Sequence, residues 1–447
     1  MLTLQGYRIP KKDLLNAKHL NEQHIKGLLS VKPYIPSVFV NPRFVKRFEV
    51  FRENEEYLYV PKHFGIEKFG PCTGREVTQT ADKFWDFAGS IRESQLPVVN
   101  SFMLPEPHDG ILSLQTGGGK TVCALYIASQ LKLPTLVLVQ SEFLKDQWVE
   151  RINEFLPRAR IGTVQGETLE VESRDIVVGM LQTIALRELP PKLFERFGLV
   201  IVDECHHIAS EAFSQAVPKL TSKYMLGLSA TPQRKDGLMH VINWFLGPIL
   251  FTSNVADKVD EKVNVEVYEF EGDAQHNAVI LNHAGVMFSS LMVNKIVENK
   301  SRNEMLIKIL EDVYDTDRQI LVLTDRVGHA KTLFEMLPPE LIIHAGILSS
   351  GMKPDIRDEF CARKKILIST YQLVKEGFDV PSLNTLLMAT PRPDINQIVG
   401  RILRVEKSKR TTHPLILDLV DVPFRRQFQE RLKLYKDRGY KIEKMKL

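Results

Sequence analysis

The run Gln115-Thr116-Gly117-Gly118-Gly119-Lys120-Thr121 sets three consecutive glycines ahead of a lysine and a hydroxyl residue. Glycines in such a loop let backbone N–H groups wrap an oxyanion with no side chain in the way, and a helix opening at the lysine adds the positive end of its dipole. Lys120 suits the β and γ phosphates of a nucleoside triphosphate such as ATP, and Thr121 suits a Mg²⁺ ion bound with them. The strict pattern asks for a small residue six positions before the lysine, where Leu114 stands. That position ends the preceding strand and on this reading contacts no phosphate.

A second cluster, Asp203-Glu204-Cys205-His206-His207, follows the apolar run LVIV. Carboxylates at the C-terminal end of a strand lie where open α/β sheets bind ligands. Asp203 is suited to Mg²⁺, and Glu204 to orienting and deprotonating an attacking water. Zinc ligation by Cys205, His206 and His207 is the rival reading, but adjacent residues on one short turn splay apart and no partner cluster lies nearby. One of the histidines fits better as a coupling group. Ser229-Ala230-Thr231 ends a further apolar strand, where small hydroxyls can report the state of a γ phosphate to the carboxylates. Ahead of the loop, Gln95 in SIRESQ offers a side-chain amide that can pair with an adenine edge.

Towards the C-terminus, Gln397-Ile398-Val399-Gly400-Arg401-Ile402-Leu403-Arg404 puts two arginines three apart, on one face of the helix that this spacing predicts. Such a pair can stabilise the charge of a phosphoryl-transfer transition state, and Gln397 belongs to the same group. Before it, Thr370 follows a buried strand with a hydroxyl suited to a backbone phosphate, and Asp379 supplies a carboxylate suited to a ribose or to coupling.

These groups need a scaffold that gathers strand ends. From about residue 110 short apolar runs alternate with amphipathic stretches: GILSL, TVCALYIASQLK, TLVLVQ, EFLKDQWVERINEFL, DIVVGM, LVIVDE, YMLGLSA. This is the pattern of a parallel sheet covered on both faces. A second series begins near 300 with QILVLT, LIIHAG, KILISTY, TLLMAT and PLILDLV. The expected class is therefore α/β with two parallel-sheet domains, at 88–250 and 301–447, joined by a linker or insertion at 251–300. Residues 1–87 lack the alternation but interleave aromatic and basic residues. They read either as an accessory domain facing nucleic acid or as a small β-rich cap with its aromatics in the core.

The 447 residues are too many for one ordinary domain, and 44% hydrophobic with 26% charged residues is a globular composition. No stretch has the roughly 20 apolar residues that span a membrane, and no secretory leader is evident, so an intracellular protein without a membrane partner is expected. Four scattered cysteines, Cys72, Cys123, Cys205 and Cys361, exclude a disulfide framework. The net charge of +4 is small, but its distribution is uneven: about five excess positive charges lie in the first 68 residues and about eight in the last 47. A surface facing phosphates explains the asymmetry, and so does a solvated basic face.

Taken in order, QTGGGKT, DECHH, SAT, TYQLVKEGFDVP and QIVGRILR resemble the motifs of superfamily 2 helicases over about residues 90–420. DECHH together with LSATPQRKDG is similar to the XPB- and UvsW-like branch, most of all to the poxvirus-type transcript-release helicases of large DNA viruses. The resemblance implies two tandem RecA-like domains and a 3′ to 5′ DNA helicase or DNA-dependent ATPase. Such an enzyme helps an RNA polymerase release transcripts, or serves repair and recombination. It further implies that Ser141, Gln182, Thr183 and Thr370 contact the tracking strand. A viral enzyme of this kind would work in the host cytoplasm or nucleus or travel in the virion. A duplex translocase, an RNA helicase and a nucleic-acid clamp switched by ATP are the competing readings.

Overall fold

The computed structural model describes residues 1–447 except 16–19, 35–44, 73–84, 115, 116, 209, 211–213, 231–235, 254–258, 261, 284, 315, 316, 350, 351, 353, 376–379, 406–408 and 447. Gln115, Thr116, Thr231 and Asp379 therefore lie outside the described residues. The chain divides into two compact units, Met1–Ser253 and Asn254–Leu447.

Both units are built on the expected open sheets. Among the described residues, the open sheet of the first has eight strands in the order Thr168–Leu169, Ile161–Gln165, Ile176–Met180, Thr135–Val139, Leu199–Val202, Tyr224–Ser229, Gly110–Ser113 and Ile249–Thr252. All pairs are parallel except the edge hairpin between Thr168–Leu169 and Ile161–Gln165. Alternate residues of its strands feed separate cores. Leu112, Val137, Val178, Ile201 and Leu226 pack under the helices Leu96–Met103, Lys120–Leu131 and Glu142–Phe155. Ile111, Leu136, Val177 and Val200 face the opposite way. The near-continuous burial of these strands follows from having both faces covered.

The cover of that second face corrects the expected boundary at residue 87. Strands Leu2–Thr3, Gly6–Pro10, Tyr57–Val60 and Arg52–Glu53 form an antiparallel sheet whose inner residues Tyr7, Ile9, Leu58 and Val60 share one apolar cluster with Ile111, Leu136 and Val200. Helix Lys62–Phe69 lies against helix Met239–Leu246, with Phe64 edge-on to Trp244 at 5.2 Å. The N-terminal segment is thus part of the first unit, its apolar face buried against that sheet. Of its aromatics, Tyr7, Phe48 and Phe64 are core, whereas Tyr57 and Tyr59 are half-buried. An ion pair fixes the join. Lys62 Nζ stands 2.6 Å from Asp109 Oδ2 and donates to the carbonyls of Ser222 and Lys223, while Asp109 Oδ1 accepts from the Met225 amide. Burial alone would raise the Asp109 pKa, but Lys62 and His63 hold it below the ordinary carboxylate value.

Among the described residues, the sheet of the second unit has seven strands, all parallel, in the order Ala345–Ile347, Ile366–Thr370, Ile320–Thr324, Thr385–Met388, Leu415–Asp421, Asn264–Phe270 and Lys441–Met445. Asn264–Phe270 overturns the expectation of a linker over 251–300. Its residues VNVEVYEF have the alternation of a strand, but their place inside the second sheet is a long-range pairing. Ile249–Thr252 likewise completes the first sheet. Within 271–299, His276 ties to the second unit by reaching Asp421 Oδ1 at 3.1 Å, the carboxylate that the buried Arg302 grips through Nε at 2.6 Å and Nη2 at 2.9 Å. No helix among the described residues is long and apolar enough to cross a membrane.

Replacing Lys62 by Met strips Asp109 of its buried counter-ion, and one-sided loss of a buried pair costs about 3 kcal/mol or more. Urea unfolding of the first-unit transition is the measurement. Lys62→Met should lower its midpoint, and pairing it with Asp109→Leu should restore much of the loss. Equal midpoints for wild type and Lys62→Met would show that the ion pair does not hold the segment.

Candidate nucleotide-hydrolysis site

Strand Gly110–Ser113 delivers the chain into the glycine loop and helix Lys120–Leu131 leaves it. Gly117 and Gly119 take φ of 83° and 80°, left-handed values that explain glycine at both. Lys120 Nζ donates to the Leu114 carbonyl at 3.3 Å. The Leu114 side chain is buried in the core beneath, so this position serves the loop through its main chain and the departure from a small residue is harmless. Thr121 follows in the first turn of the helix. Gln95 is buried, its Oε1 accepts from the Arg92 amide at 3.1 Å, and its Nε2 lies where a Cβ on Gly119 would come within 2.1 Å of it. The amide expected to read an adenine edge is thus packed against the loop, and a side chain at residue 119 would displace it.

The carboxylate pair ends strand Leu199–Val202, two strands away from the loop in the sheet. Asp203 is held from both sides: Oδ1 accepts from the Glu204 amide and Oδ2 from Trp148 Nε1, each at 2.9 Å. Burial and the neighbouring Glu204 charge raise its pKa. Glu204 shifts the other way. Burial opposes it, but the His206 hydrogen bond and the charge of Lys120 outweigh that effect and lower its pKa. Lys120 Nζ stands 3.8 Å from Glu204 Oε1, and His206 Nδ1 is 3.3 Å from Oε2 and 3.1 Å from Ser229 Oγ. His206 therefore joins the candidate catalytic carboxylate to the strand end that carries Ser229. Glu204 has φ 45°, ψ 49°, a left-handed backbone on a residue with a Cβ, a strain that clusters at functional sites. Cys205 is buried with its thiol pKa pushed up by burial, an inert core residue, and no cluster of metal ligands of the zinc type occurs among the described residues.

Ser141, Gln182 and Thr183 gather at the C-terminal ends of the neighbouring strands Thr135–Val139 and Ile176–Met180. Ser141 caps helix Glu142–Phe155 by accepting from the Leu144 amide, Gln182 Nε2 donates to the Gln140 carbonyl at 2.6 Å, and Thr183 Oγ1 accepts from the Gly166 amide at 3.0 Å.

In the second unit, Thr370 ends strand Ile366–Thr370, its Oγ1 3.4 Å from the Leu373 amide at the start of helix Tyr371–Lys375. That helix packs against Asn396–Val399, which carries Gln397. The expected helix face bearing both arginines is shorter than its spacing suggested. The α-helix stops at Val399, and Gly400, Arg401 and Ile402 continue as turns with amides bonded three or four residues back. Arg401 is buried and Arg404 half-buried.

The first unit alone can thus cradle phosphates on a cationic loop and present an ionised glutamate beside them, the requirements of water attack on a phosphoryl group. Two polar contacts were invisible in the sequence. Trp148 lies inside the amphipathic stretch EFLKDQWVERINEFL, and Gln140 ends the apolar run TLVLVQ. The one available signal was that a buried indole N–H needs an acceptor.

Known proteins resemble the chain in sequence and fold. Residues 88–234 match the family model described as type III restriction enzyme, res subunit. The chain is 31% identical over 99% of its length to 86% of "Putative ATP-dependent RNA helicase L396" of Acanthamoeba polyphaga mimivirus. It is 28% identical over 81% of its length to 84% of "Putative helicase 161L" of Invertebrate iridescent virus 6. Among solved structures, yeast Dbp5 bound to RNA and ADP BeF3 aligns over 79% of this chain and 89% of that one with a TM-score of 0.56 at 14% identity, a likeness of fold.

Trp148→Phe keeps a buried ring and removes the indole N–H that Asp203 Oδ2 accepts. Leaving a buried carboxylate oxygen short of a partner costs about 1–3 kcal/mol. The expected outcome is a lowered urea midpoint together with reduced ATP turnover; unchanged values of both would remove the indole from any role at the carboxylate.

Proposed function

Since the chain belongs to the superfamily 2 helicases represented in large DNA viruses, and is thus an ATP-dependent nucleic-acid helicase, we propose that it is a motor whose track is DNA, moving 3′ to 5′. The observation that carries the hydrolytic part is the approach of Lys120, Asp203, Glu204 and His206 behind one glycine loop. Lys120 and the amides of Gly117, Gly118 and Gly119 bind the phosphates, with Gln115 and Thr116 in the same loop. Gln95 steadies the loop beside the base. Glu204 orients the water and takes its proton, while His206 passes the state of that carboxylate to Ser229.

Thr121 and Asp203 are the residues that fit Mg²⁺. Both offer oxygen, the donor that a hard cation prefers, and the pKa of Asp203 is raised by burial first and by the neighbouring Glu204 charge second, both of which a bound cation would offset. Bound there, the ion would neutralise charge on the phosphates.

In the second unit, Arg401 and Arg404 supply transition-state charge with Gln397 beside them, and Asp379 contributes a carboxylate to the nucleotide or to coupling. Ser141, Gln182 and Thr183 from the first unit and Thr370 from the second contact phosphates of the tracking strand, binding that strand without reading its sequence. The match to the res subunit of a restriction enzyme supports DNA. A second reading, RNA, is favoured by the name of the mimivirus relative, an RNA helicase, and by the RNA in the Dbp5 complex. The resemblance to viral transcript-release enzymes supports work beside an RNA polymerase inside the host cell, with repair and recombination as the other setting.

ATP hydrolysis measured with no additive, single-stranded DNA, duplex DNA or RNA tests the track. DNA should stimulate most, with turnover lost by at least about tenfold in Glu204→Gln and Arg404→Ala; stimulation by RNA alone would transfer the reading to RNA, and equal rates with every additive would end it. For the strand contacts, a double-mutant cycle between Thr183→Ala and Thr370→Ala is read as affinity for single-stranded DNA. Each alanine should weaken binding severalfold, and unchanged affinity in both would sink the assignment.

A further inference from the structure

Gln140 stands at the end of the central strand Thr135–Val139, between the strand that leads to Gln182 and the strand that leads to Asp203 and Glu204. It is bonded on both sides. Its carbonyl accepts from Gln182 Nε2 at 2.6 Å, and its own Nε2 donates to the Glu204 carbonyl at 3.3 Å. The acceptor is the main chain of the residue whose backbone is held in the left-handed region. A residue with a Cβ costs about 1–2 kcal/mol there, so it persists only where neighbours over-determine it.

We propose that Gln140 is a positioning residue that couples the strand-contacting segment to the catalytic glutamate: a hydrogen-bonded relay runs from Gln182 through Gln140 to the peptide of Glu204. The inference rests on the reading of Gln182 and Thr183 as strand contacts. Phosphates arriving at residues 141 and 182–183 shift the ends of two adjacent strands, and Gln140 is the side chain that carries such a shift across to the third. Movement of the Glu204 peptide re-aims its carboxylate at the water. Helix Glu142–Phe155, capped by Ser141, adds a parallel connection two turns along, where Trp148 meets Asp203. Both carboxylates are thereby steadied from the element that begins at the strand-contacting edge.

The proposal is tested by ATP turnover of the full chain as a function of poly(dT) and of poly(U) concentration, for Gln140→Met and Gln140→Glu. Methionine keeps length and volume and removes the donor, and glutamate sets an acceptor against the Glu204 carbonyl. Gln140 is half-buried, so melting temperatures should stay near wild type. The expected result is a fall of about tenfold in kcat at saturating polymer, larger for glutamate than for methionine. KM for ATP and the affinity for polymer should remain within about twofold of wild type. Wild-type stimulation in Gln140→Met overturns the relay, and a rise in KM or a loss of polymer affinity without a fall in kcat assigns the residue a structural or direct-binding role instead. Thr183→Ala, assayed alongside, separates this from the underlying reading. If Thr183→Ala leaves affinity unchanged while Gln140→Met still loses stimulation, the strand contacts lie elsewhere and the carboxylate coupling stands.

Discussion

Two adjacent carboxylates, Asp203 buried and Glu204 half-buried, are the constraint around which the first unit is arranged. Coulomb repulsion between them and the loss of hydration both favour protonation, yet the water activation proposed above needs one of them ionised. The fold resolves this by unequal surroundings. Asp203 receives two neutral donors, from an indole and a peptide, and keeps a raised pKa; Glu204 has the cationic Lys120 and the imidazole of His206 and keeps a lowered one. These partners come from different strand ends, and a parallel sheet brings them together because the carboxyl ends of its strands all lie on one side.

The pieces of the candidate site are legible in the sequence where they are local. A glycine loop before a lysine and a pair of acids after an apolar run are each contained in a few residues, and the structure sets Lys120 and Glu204 within reach of one another. The strands were legible because burial on both faces leaves continuous apolar runs. What escaped depends on pairing across long separations. Nothing in VNVEVYEF says that its neighbours are residues 415–421 and 441–445, and nothing in the first 87 residues says that their apolar face closes the back of the adjacent sheet. Trp148 and Gln140 escaped for the same reason, their acceptors lying about sixty residues away in the chain.

The arginine segment shows a different limit. Spacing of three predicts a shared helix face, and Arg401 and Arg404 keep the spacing while the α-helix ends before them. The turns that follow are held largely by amide bonds to carbonyls three residues back, the usual way that a helix tightens at its end. A sequence pattern gives periodicity over several residues, but the choice between α and tighter turns is made by neighbours.

The strand Asn264–Phe270 has a consequence for how the protein is made. It opens the second unit, yet both of its partners, Leu415–Asp421 and Lys441–Met445, emerge from the ribosome roughly 150 residues later. The first unit, by contrast, has all of its strands by Thr252 and can fold while synthesis continues. The second sheet waits with one strand unpaired until translation is nearly done. That interval is when the chain is most open to association with other nascent chains, and slow translation across residues 270–415 would lengthen it.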